Sequence, residues 1–327
     1  MQLKVWKEHR LSALMLGTAQ FGFRYGVANR TGQPGYHDVL AIVEAAIAGG
    51  VNCFDTAADY GASEEVLGRA LRELGIGDSV IVVTKVRHLT GAELAQPDLA
   101  RKAIEQSVAA SRQRLQLECV PVVLFHQEPD AAYLDALADL KARGWLRHAG
   151  VSCGNQPGPA AKLAADERVE AMQLPGNLLD RRHATSGIFR QAAARGVGVF
   201  IRSVYLKGLL LMPEAGIPPE LRGVVPVRRR IEQIAGQAGL TMAELAARYM
   251  LALPGVTCVL AGIETLEQMR ANLAIFNRGP LDPATVAAVN AVPIDLAETL
   301  LTPFLWPSSK KEAADRLSAP ASSAPAQ

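Results

Sequence analysis

The sequence predicts an α/β protein built as one (β/α)8, or TIM, barrel over residues 1–307. Three observations favour this fold: eight short apolar runs, helical stripes between most of them, and no Gly-x-Gly-x-x-Gly motif after the first run. A length of 327 residues suits a single large barrel. An open, doubly wound sheet is the alternative for the same alternation, and the missing glycine motif weighs against it.

Each predicted strand is a continuous apolar run, as is typical of parallel strands that are buried on both faces. Such strands alternate with helices in a barrel, so the spacing of the runs matters as much as their composition. The eight predicted strands are 13–17, 51–55, 80–85, 120–125, 146–151, 169–174, 197–202 and 255–261.

Helical stripes of apolar residues fill most of the intervals between these strands. The first is ended by Gly49 and Gly50, and another begins with Thr241 and Glu244 in a capping-box pattern. The interval before the last strand is too long for one unit, so we expect an inserted loop with a short helix over 203–236. The predicted helices are 36–49, 63–74, 98–115, 130–143, 184–195, 241–252 and 265–276.

Composition and charge exclude several classes of protein. A net charge of +2 gives no strong field, so we expect neither nucleic acid nor a membrane surface as a partner. The charged amino terminus does not resemble a signal peptide, and no apolar stretch is long enough to span a membrane.

Four separated cysteines without a CxxC pair predict reduced thiols, three of them in apolar runs. We expect a cytoplasmic monomer without a metal, whose Ala-, Ser- and Pro-rich residues 308–327 are disordered.

Polar side chains follow three consecutive predicted strands and point to one site. Asp55 ends the second strand with Tyr60 in the loop beyond it, Lys85 ends the third, and His126 follows the fourth. Each residue alone has an ordinary explanation, as a turn residue, a solvated lysine or a loop histidine. In a barrel all four point into one mouth, where burying them is costly unless they pair. We therefore predict a catalytic cluster.

This set suits carbonyl reduction, in which a hydride adds to carbon and a proton goes to oxygen. A tyrosine hydroxyl has an ordinary pKa of about 10, which is high for an acid near neutrality. The Lys85 ammonium would lower that pKa, and Asp55 would pair with Lys85 and hold it. A neutral His126 would hydrogen-bond the substrate oxygen and orient it.

These residues lie in motifs that resemble the aldo/keto reductase superfamily over roughly residues 11–280. FDTAADYGASEEVLGRAL resembles the first family signature, and VTK and VLFHQEPD resemble the segments that carry its lysine and histidine. The resemblance implies that Asp55, Tyr60, Lys85 and His126 are the catalytic tetrad. It also implies reduction of an aldehyde or ketone to an alcohol by NADPH or NADH.

The resemblance implies a set of cofactor contacts along the mouth of the barrel. Ser152 and Gln173 correspond to residues that hold the nicotinamide carboxamide, but Cys153 stands where the family usually has Asn, with Asn155 close by. Arg202 stands where an aromatic residue usually stacks on the nicotinamide, and its planar guanidinium suits the same role. The other implied cofactor contacts are Gly17, Thr18, Ala19 and Asp55, with Ser203, Leu206 and Gly208 along the pyrophosphate.

The segment AGIETLEQMRANL, 261–273, resembles the part of the family that grips the adenosine end. It offers Gly262, Glu264, Gln268 and Asn272. Glu264 would repel a 2′-phosphate and accept a hydrogen bond from a free 2′-hydroxyl, whereas the family default is NADPH. Arg270 is a candidate to compensate that repulsion. The choice between NADPH and NADH stays open.

The amino-terminal LGTAQFGFRYGVANRTGQP resembles a bacterial branch associated with sugar and surface-carbohydrate metabolism. It implies a sugar-like carbonyl substrate held by Phe21, Tyr60 and His126, with Phe23 and Tyr25 also near the pocket. Packing of a long first loop explains the aromatic residues equally well.

Two other functions fit the same residues. A nucleotide-binding, redox-sensing regulatory protein would keep the tetrad but turn over slowly. An aldolase would use Lys85 as a Schiff base, but pairing with Asp55 keeps the amine protonated and argues against this.

Overall fold

In the structure, a computed structural model that describes residues 1–307, eight parallel strands close into a barrel. The barrel order is β3, β4, β5, β6, β7, β8, β9, β10 and back to β3, and β1 pairs antiparallel with β2 in a separate hairpin. The strands are β1 Leu3–Trp6, β2 His9–Ser12, β3 Leu14–Gly17, β4 Cys53–Asp55, β5 Ile81–Val86, β6 Val120–Phe125, β7 Leu146–Ser152, β8 Ala171–Pro175, β9 Gly198–Arg202 and β10 Cys258–Gly262.

The helices surround the barrel and connect its strands. The longer ones are α1 Tyr36–Ala48, α2 Ser63–Glu73, α3 Pro97–Leu115, α4 Leu134–Ala142, α5 Pro157–Ala164, α6 Ile188–Ala194, α7 Val225–Gln237, α8 Met242–Ala252, α9 Leu266–Asn277 and α10 Pro283–Ala291. Single helical turns are Ala19–Gly22, Gly91–Leu94, Arg182–Thr185 and Glu298–Leu301, and 3₁₀ segments are Gly77–Ser79, Glu128–Tyr133, Leu206–Gly208, Glu214–Gly216, Pro219–Val224 and Pro303–Leu305.

The predicted (β/α)8 barrel is confirmed, and each of its eight strands lies where an apolar run predicted one. Some strands begin later than their runs: β4 starts at Cys53 and β10 at Cys258. The first residues of those runs lie outside the ladder, because an apolar run signals burial rather than strand pairing. The predicted capping box of Thr241 and Glu244 is present at the start of α8.

The β1–β2 hairpin and helices α5 and α10 were not predicted from the sequence, and helix α7 was predicted too short. The hairpin β1–β2 alternates charged and apolar residues over too few positions to predict a pair, and α5 begins in the Pro- and Gly-rich stretch PGPAAKLA. The expected short helix of 203–236 is the 13-residue α7. Helix α10 follows the barrel, beyond the last predicted helix.

Alternation along each strand divides the core into an inner layer and an outer layer. In β3, Met15 belongs to the cluster inside the barrel, whereas Leu14 and Leu16 pack outward with the helices. In β10, Leu260 points inward and Val259 outward. This two-sided burial is why the strands are apolar throughout.

The β1–β2 hairpin covers the amino-terminal end of the barrel. Trp6 belongs to the inner cluster, contacts Phe200 edge-on at 5.5 Å between ring centres, and donates to the carbonyl of Gly196. Gly198 leaves room for it, since a Cβ there would lie 2.8 Å from the Trp6 ring. The opposite end, where the strands finish, holds the polar residues.

The predicted tail over 308–327 lies outside the described residues, so its disorder stays a prediction. Trp306 is buried in the outer core and anchors the end of the described chain, whereas Phe304 is exposed. Cys53, Cys153 and Cys258 are buried, Cys119 is half-buried, and all four are free thiols. Among residues 1–307, none of the helices has the length and apolarity to cross a bilayer.

Candidate active site

The predicted site residues gather at the carboxyl ends of neighbouring strands. Asp55 is the last residue of β4, and Lys85 lies near the end of β5. His126 directly follows β6, Ser152 ends β7, and Gln173 pairs with Ser152 from β8. Because all eight strands run parallel, their carboxyl ends surround one mouth, which is where barrels of this class place reacting groups.

A buried ion pair forms the centre of the site. Lys85 Nζ lies 2.7 Å from Asp55 Oδ1 and donates to the carbonyl of Thr56 at 2.8 Å. Gln173 Nε2 donates to the same Asp55 oxygen at 2.7 Å. Burial lowers the pKa of Lys85, and the Asp55 carboxylate opposes that shift. Two charges in this environment persist only because each has its partners.

The ring of Tyr60 lies beside this pair, with Lys85 Nζ 5.0 Å from the ring centre. Phe23 and His126 contact the Tyr60 ring edge-on, at 6.2 and 5.5 Å between ring centres. Two glycines fix its loop: a Cβ on Gly22 would overlap the Tyr60 carbonyl, and Gly61 has a positive φ of 56°. Close backbone approach therefore positions the tyrosine.

His126 is a neutral imidazole near pH 7, since burial lowers its pKa to about 4. Its ring stacks on His88 at 4.4 Å between centres, and Asp59 Oδ2 lies 3.3 Å from His126 Nδ1. That oxygen is off the hydrogen-bond direction of His126 Nδ1 but accepts a good hydrogen bond, at 2.6 Å, from His88 Nδ1. Burial raises the pKa of Asp59, but the two histidines and the His88 amide outweigh it and lower that pKa.

The guanidinium of Arg202 crosses the mouth next to Ser152. Arg202 donates to the carbonyl of Cys153 at 2.9 Å and to the Ser203 hydroxyl at 3.3 Å. Asn155, which the sequence places near the missing family asparagine, instead donates to Asp180 at 2.9 Å. The side-chain nitrogen of Asn155 is therefore used in a hydrogen bond within the protein rather than exposed to a cofactor at the mouth.

A strained loop follows β9. Ser203, Leu206 and Lys207 all have positive φ values, of 64°, 48° and 52°, although none of them is glycine. Gly208 is also positive at 89°, and a Cβ there would lie 2.5 Å from Ala28. Non-glycine residues in this region cost free energy and are concentrated at functional sites. Leu206 is fully buried, backbone included, so the implied contact of this residue with the pyrophosphate needs correction: it supports the loop from within.

The start of α9 brings Glu264 and Gln268 together. Gln268 accepts from the Glu264 amide and donates to its carboxylate, at 3.0 and 3.1 Å. Burial raises the pKa of Glu264, and the hydrogen bond from Gln268, the nearby amide of Asn29 and the charge of Arg24 oppose that shift. Arg24 is thus a cation that acts on Glu264, whereas no ion pair or hydrogen bond joins Arg270 to Glu264 in the described chain.

Both the oxygen and the nitrogen of the Asn272 side-chain amide form hydrogen bonds within the protein. It accepts from the Tyr205 hydroxyl at 2.8 Å and donates to the Gln268 carbonyl at 2.8 Å. Gly262 pairs with Gly17 across β10 and β3, which brings these two strand ends to the same edge of the mouth. The predicted adenosine-side residues therefore form one connected patch.

Two predictions near the end of β3 need correction. Phe21 is fully buried in the outer core, so it cannot line a substrate pocket, and Phe23 is the aromatic residue that contacts Tyr60. Thr18 is also fully buried, and its hydroxyl bonds the Asp55 carbonyl and Ser63 at 2.8 Å each. Thr18 therefore supports the strand end rather than offering a polar group at the mouth. Ala19 opens the short helical turn that follows.

Several residues of this mouth were not predicted from the sequence. Arg24 and Asn29 reach the Glu264 patch, and Lys207 lies over the ring of Tyr25 at 4.6 Å. Tyr205 joins the patch through Asn272. The signal in the sequence was the concentration of basic and aromatic residues in two loops, but nothing in it says that these loops meet. The backbone bond from Val27 to the Lys207 carbonyl joins them.

Fold and candidate site together describe a (β/α)8 barrel with a cluster of paired polar side chains at the carboxyl ends of its strands. Residues 13–294 match the model of the aldo/keto reductase family, and the chain belongs to that family. It is therefore an oxidoreductase of the class that uses NAD(P)H to reduce carbonyl compounds.

Curated relatives share about a quarter of their residues with this chain. L-galactose dehydrogenase from Arabidopsis thaliana is 27% identical over 310 residues, covering 86% of this chain and 91% of the relative. A probable voltage-gated potassium channel subunit beta, also from Arabidopsis thaliana, is 26% identical over 300 residues, covering 83% and 90%.

A solved structure has the same fold. The aldo-keto reductase AKR11C1 from Bacillus halodurans, in its holo form, superimposes with a TM-score of 0.75 at 22% identity. The match covers 92% of this chain and 99% of that one.

Proposed function

We propose that this chain reduces an aldehyde or ketone to an alcohol with NADPH or NADH, using Tyr60 as the general acid. The observation that carries the proposal is the position of Lys85, whose ammonium is 2.7 Å from the Asp55 carboxylate and 5.0 Å from the centre of the Tyr60 ring. A buried cation beside a tyrosine stabilises the phenolate that forms when the hydroxyl gives up its proton.

The four residues have distinct tasks in this mechanism. A bound nicotinamide supplies the hydride. The Tyr60 hydroxyl donates its proton to the carbonyl oxygen, and Lys85 stabilises the resulting negative charge. Asp55 holds Lys85 in its protonated form, which also argues against Schiff-base chemistry at that amine. His126, neutral near pH 7, hydrogen-bonds the substrate oxygen and orients it towards Tyr60.

The residues of the mouth fit a dinucleotide. With Nε2 of Gln173 bonded to Asp55, its carbonyl oxygen is the group suited to accept from a carboxamide, and Ser152 adds a hydroxyl next to it. The planar Arg202 suits stacking on the nicotinamide. The backbone of the strained loop at Ser203 and Gly208, with Lys207, suits the pyrophosphate. Gly17 and Gly262 have no side chains that would block a cofactor at the ends of β3 and β10, and Ala19 follows β3 with a small side chain.

The charges around Glu264 support use of either cofactor. Glu264 would repel a 2′-phosphate, whereas Arg24 beside it would attract one. The side chains of Gln268 and Asn272 already form hydrogen bonds within the protein. The balance between the charges of Glu264 and Arg24 therefore sets the preference for NADPH or NADH.

We propose a small carbonyl substrate with a sugar-like, hydroxylated character. His126 and Tyr60 supply polar contacts at the reacting oxygen, and Phe23 and Tyr25 form an edge-on aromatic pair at 5.8 Å that borders Tyr60. The relative L-galactose dehydrogenase supports a sugar-like substrate.

The decisive experiment is a fluorescence titration with NADPH and NADH, followed by turnover against a panel of aldehydes, ketones and aldoses. Saturable binding of either cofactor together with multiple turnovers supports the proposal. Failure to bind either cofactor would refute it.

A second candidate is a nucleotide-binding, redox-sensing regulator with slow turnover, which the channel-subunit relatives support. Such a protein would bind the cofactor tightly but oxidise it only once per chain within minutes when mixed with carbonyl compounds. Single-turnover and steady-state measurements on the same preparation separate the two candidates.

A further inference from the structure

A second cluster of histidines lies at the amino-terminal end of the barrel, away from the catalytic mouth. Glu8 and His9 come from the hairpin, and His148 comes from β7. The Glu8 Oε1 atom lies 3.1 Å from His148 Nε2 and 3.5 Å from His9 Nε2, and all three ligand atoms lie within 4.8 Å of one another.

The two distances from Glu8 to the histidine nitrogens suit a tetrahedral metal ion. Two bonds of about 2.0–2.1 Å at a tetrahedral angle hold their donor atoms roughly 3.3 Å apart, and the observed 3.1 and 3.5 Å lie on either side of that separation. Two imidazole nitrogens and one carboxylate oxygen form a donor set typical of zinc.

One buried atom in the cluster lacks a hydrogen-bond partner among the described residues. Within residues 1–307, His9 Nε2 forms no hydrogen bond, although the His9 side chain is only 10% exposed. A proton shared between Glu8 and His148 would satisfy those two residues but would leave His9 Nε2 unpaired. Burying an unpaired polar atom costs free energy, so the orphaned nitrogen points to a ligand that all three residues share.

The surroundings of His148 resemble the support that metal-binding histidines receive. His148 Nδ1 lies 3.1 Å from Glu170, which leaves Nε2 for the ion. Glu170 is fixed in turn by Lys141 at 2.7 Å and by the amide of Ala149 at 3.3 Å. Trp6 packs on the His148 ring at 4.8 Å between centres and restricts its orientation.

We propose that Glu8, His9 and His148 bind a divalent transition metal ion of the zinc type, with water in the fourth position. The ion links the β1–β2 hairpin to β7 and so stabilises the hairpin against the amino-terminal end of the barrel. The Glu8 side chain is 55% exposed, which gives the ion a path from solvent. The site is independent of the proposed carbonyl reduction.

The test compares zinc binding and thermal stability in four proteins stripped with EDTA and reloaded with zinc sulfate. We expect one zinc ion per wild-type chain and a rise in Tm that EDTA reverses. His9→Phe keeps a ring against Trp6 but removes the nitrogen, so zinc and the rise in Tm should both be lost. Glu170→Gln should weaken zinc binding roughly 10- to 100-fold, as expected for a residue that supports a ligand.

The matched control is His88→Phe, because Asp59, His88 and His126 form a second possible metal-binding group at the catalytic mouth. His88→Phe should bind zinc at the Glu8, His9 and His148 site as the wild type does. If zinc binding is absent in the wild type, unchanged by His9→Phe, or lost in His88→Phe, the proposal is overturned. If His9→Phe is unstable, Glu8→Gln replaces it, because this exposed change does not threaten folding and should also abolish zinc binding.

Discussion

Lys85 Nζ and Asp55 Oδ1 are 2.7 Å apart in a site where both side chains are almost completely buried. The pair connects the ends of β4 and β5 and places a positive charge next to Tyr60. Under the proposed mechanism, stability and catalysis depend on the same two residues, and each dependence can be measured separately.

Removing one member of this pair should cost more stability than removing both. Asp55→Asn leaves a buried ammonium without its counter-ion, and we expect a loss of about 3–5 kcal/mol in the free energy of unfolding. The double variant Asp55→Asn with Lys85→Met should lose less than Asp55→Asn alone, because no unpaired charge remains buried. Urea unfolding of the four proteins checks this, and additive losses would contradict a coupled pair.

Tyr60→Phe should abolish turnover while leaving cofactor affinity unchanged. The phenyl ring keeps its edge-on contact with His126, so only the proton donor is lost. We expect kcat to fall by roughly 10²- to 10⁴-fold, the range for loss of a general acid. Steady-state kinetics and cofactor fluorescence measure the two effects, and retention of most activity would refute the assigned role.

His126 should make stability depend on pH in the acid range. Its pKa is about 4 in the folded protein, against about 6.5 in an unfolded chain, so the unfolded state binds the proton more tightly. The stability that neutral His126 provides is therefore complete above about pH 6.5 and is lost as the pH falls towards 4. The full loss would be about 3 kcal/mol.

Unfolding free energies of the wild type and of His126→Gln, measured between pH 4 and 7, test this dependence. Glutamine does not titrate, so the variant should lose less stability across that range. Parallel pH profiles for the two proteins would show that His126 is not the group responsible.

Arg24 rather than Arg270 should control the affinity for a 2′-phosphate. Both arginines are exposed, but the charge of Arg24 acts on the Glu264 carboxylate, whereas no ion pair or hydrogen bond joins Arg270 to Glu264 within residues 1–307. Arg24→Gln should weaken NADPH binding about tenfold and NADH binding little, as expected for loss of one charge-assisted hydrogen bond.

The matched control is Arg270→Gln, which should change neither affinity. Glu264→Gln should shift the preference the other way, towards NADPH, by removing the repulsive carboxylate. Fluorescence titrations of the three variants with NADPH and with NADH measure both affinities and show which arginine controls binding of the 2′-phosphate. A selective loss of NADPH binding in Arg270→Gln would contradict it.

Two glycines should respond oppositely to alanine. A Cβ on Gly198 would lie 2.8 Å from the Trp6 ring, so Gly198→Ala should cost about 1–3 kcal/mol through overpacking. Gly236 lies inside α7 with open space around its Cβ position, so Gly236→Ala should add about 0.4–1 kcal/mol. Denaturant midpoints measure both changes. Equal effects would mean that the hairpin does not pack tightly on the barrel.

The site was partly predictable, and the limits have physical causes. The position of Asp55 and Lys85 at strand ends is fixed by local sequence, so their convergence follows from barrel geometry alone. The burial of Phe21 could not be predicted, because an aromatic residue after a strand has equal reason to face a pocket or the core. The commitment of Asn155 to Asp180 depends on a partner 25 positions away.

The sequence by itself determined the eight barrel strands, the barrel class and the four polar residues expected at its mouth. Those features depend on apolar periodicity and on the fixed direction of parallel strands, both of which are local properties of the chain. Only the tertiary structure decided that the charge of Arg24 acts on Glu264 and that the rings of His9 and His148 meet edge-on. These contacts join residues that are far apart in the chain, and their geometry depends on loop conformations and packing that no local pattern encodes.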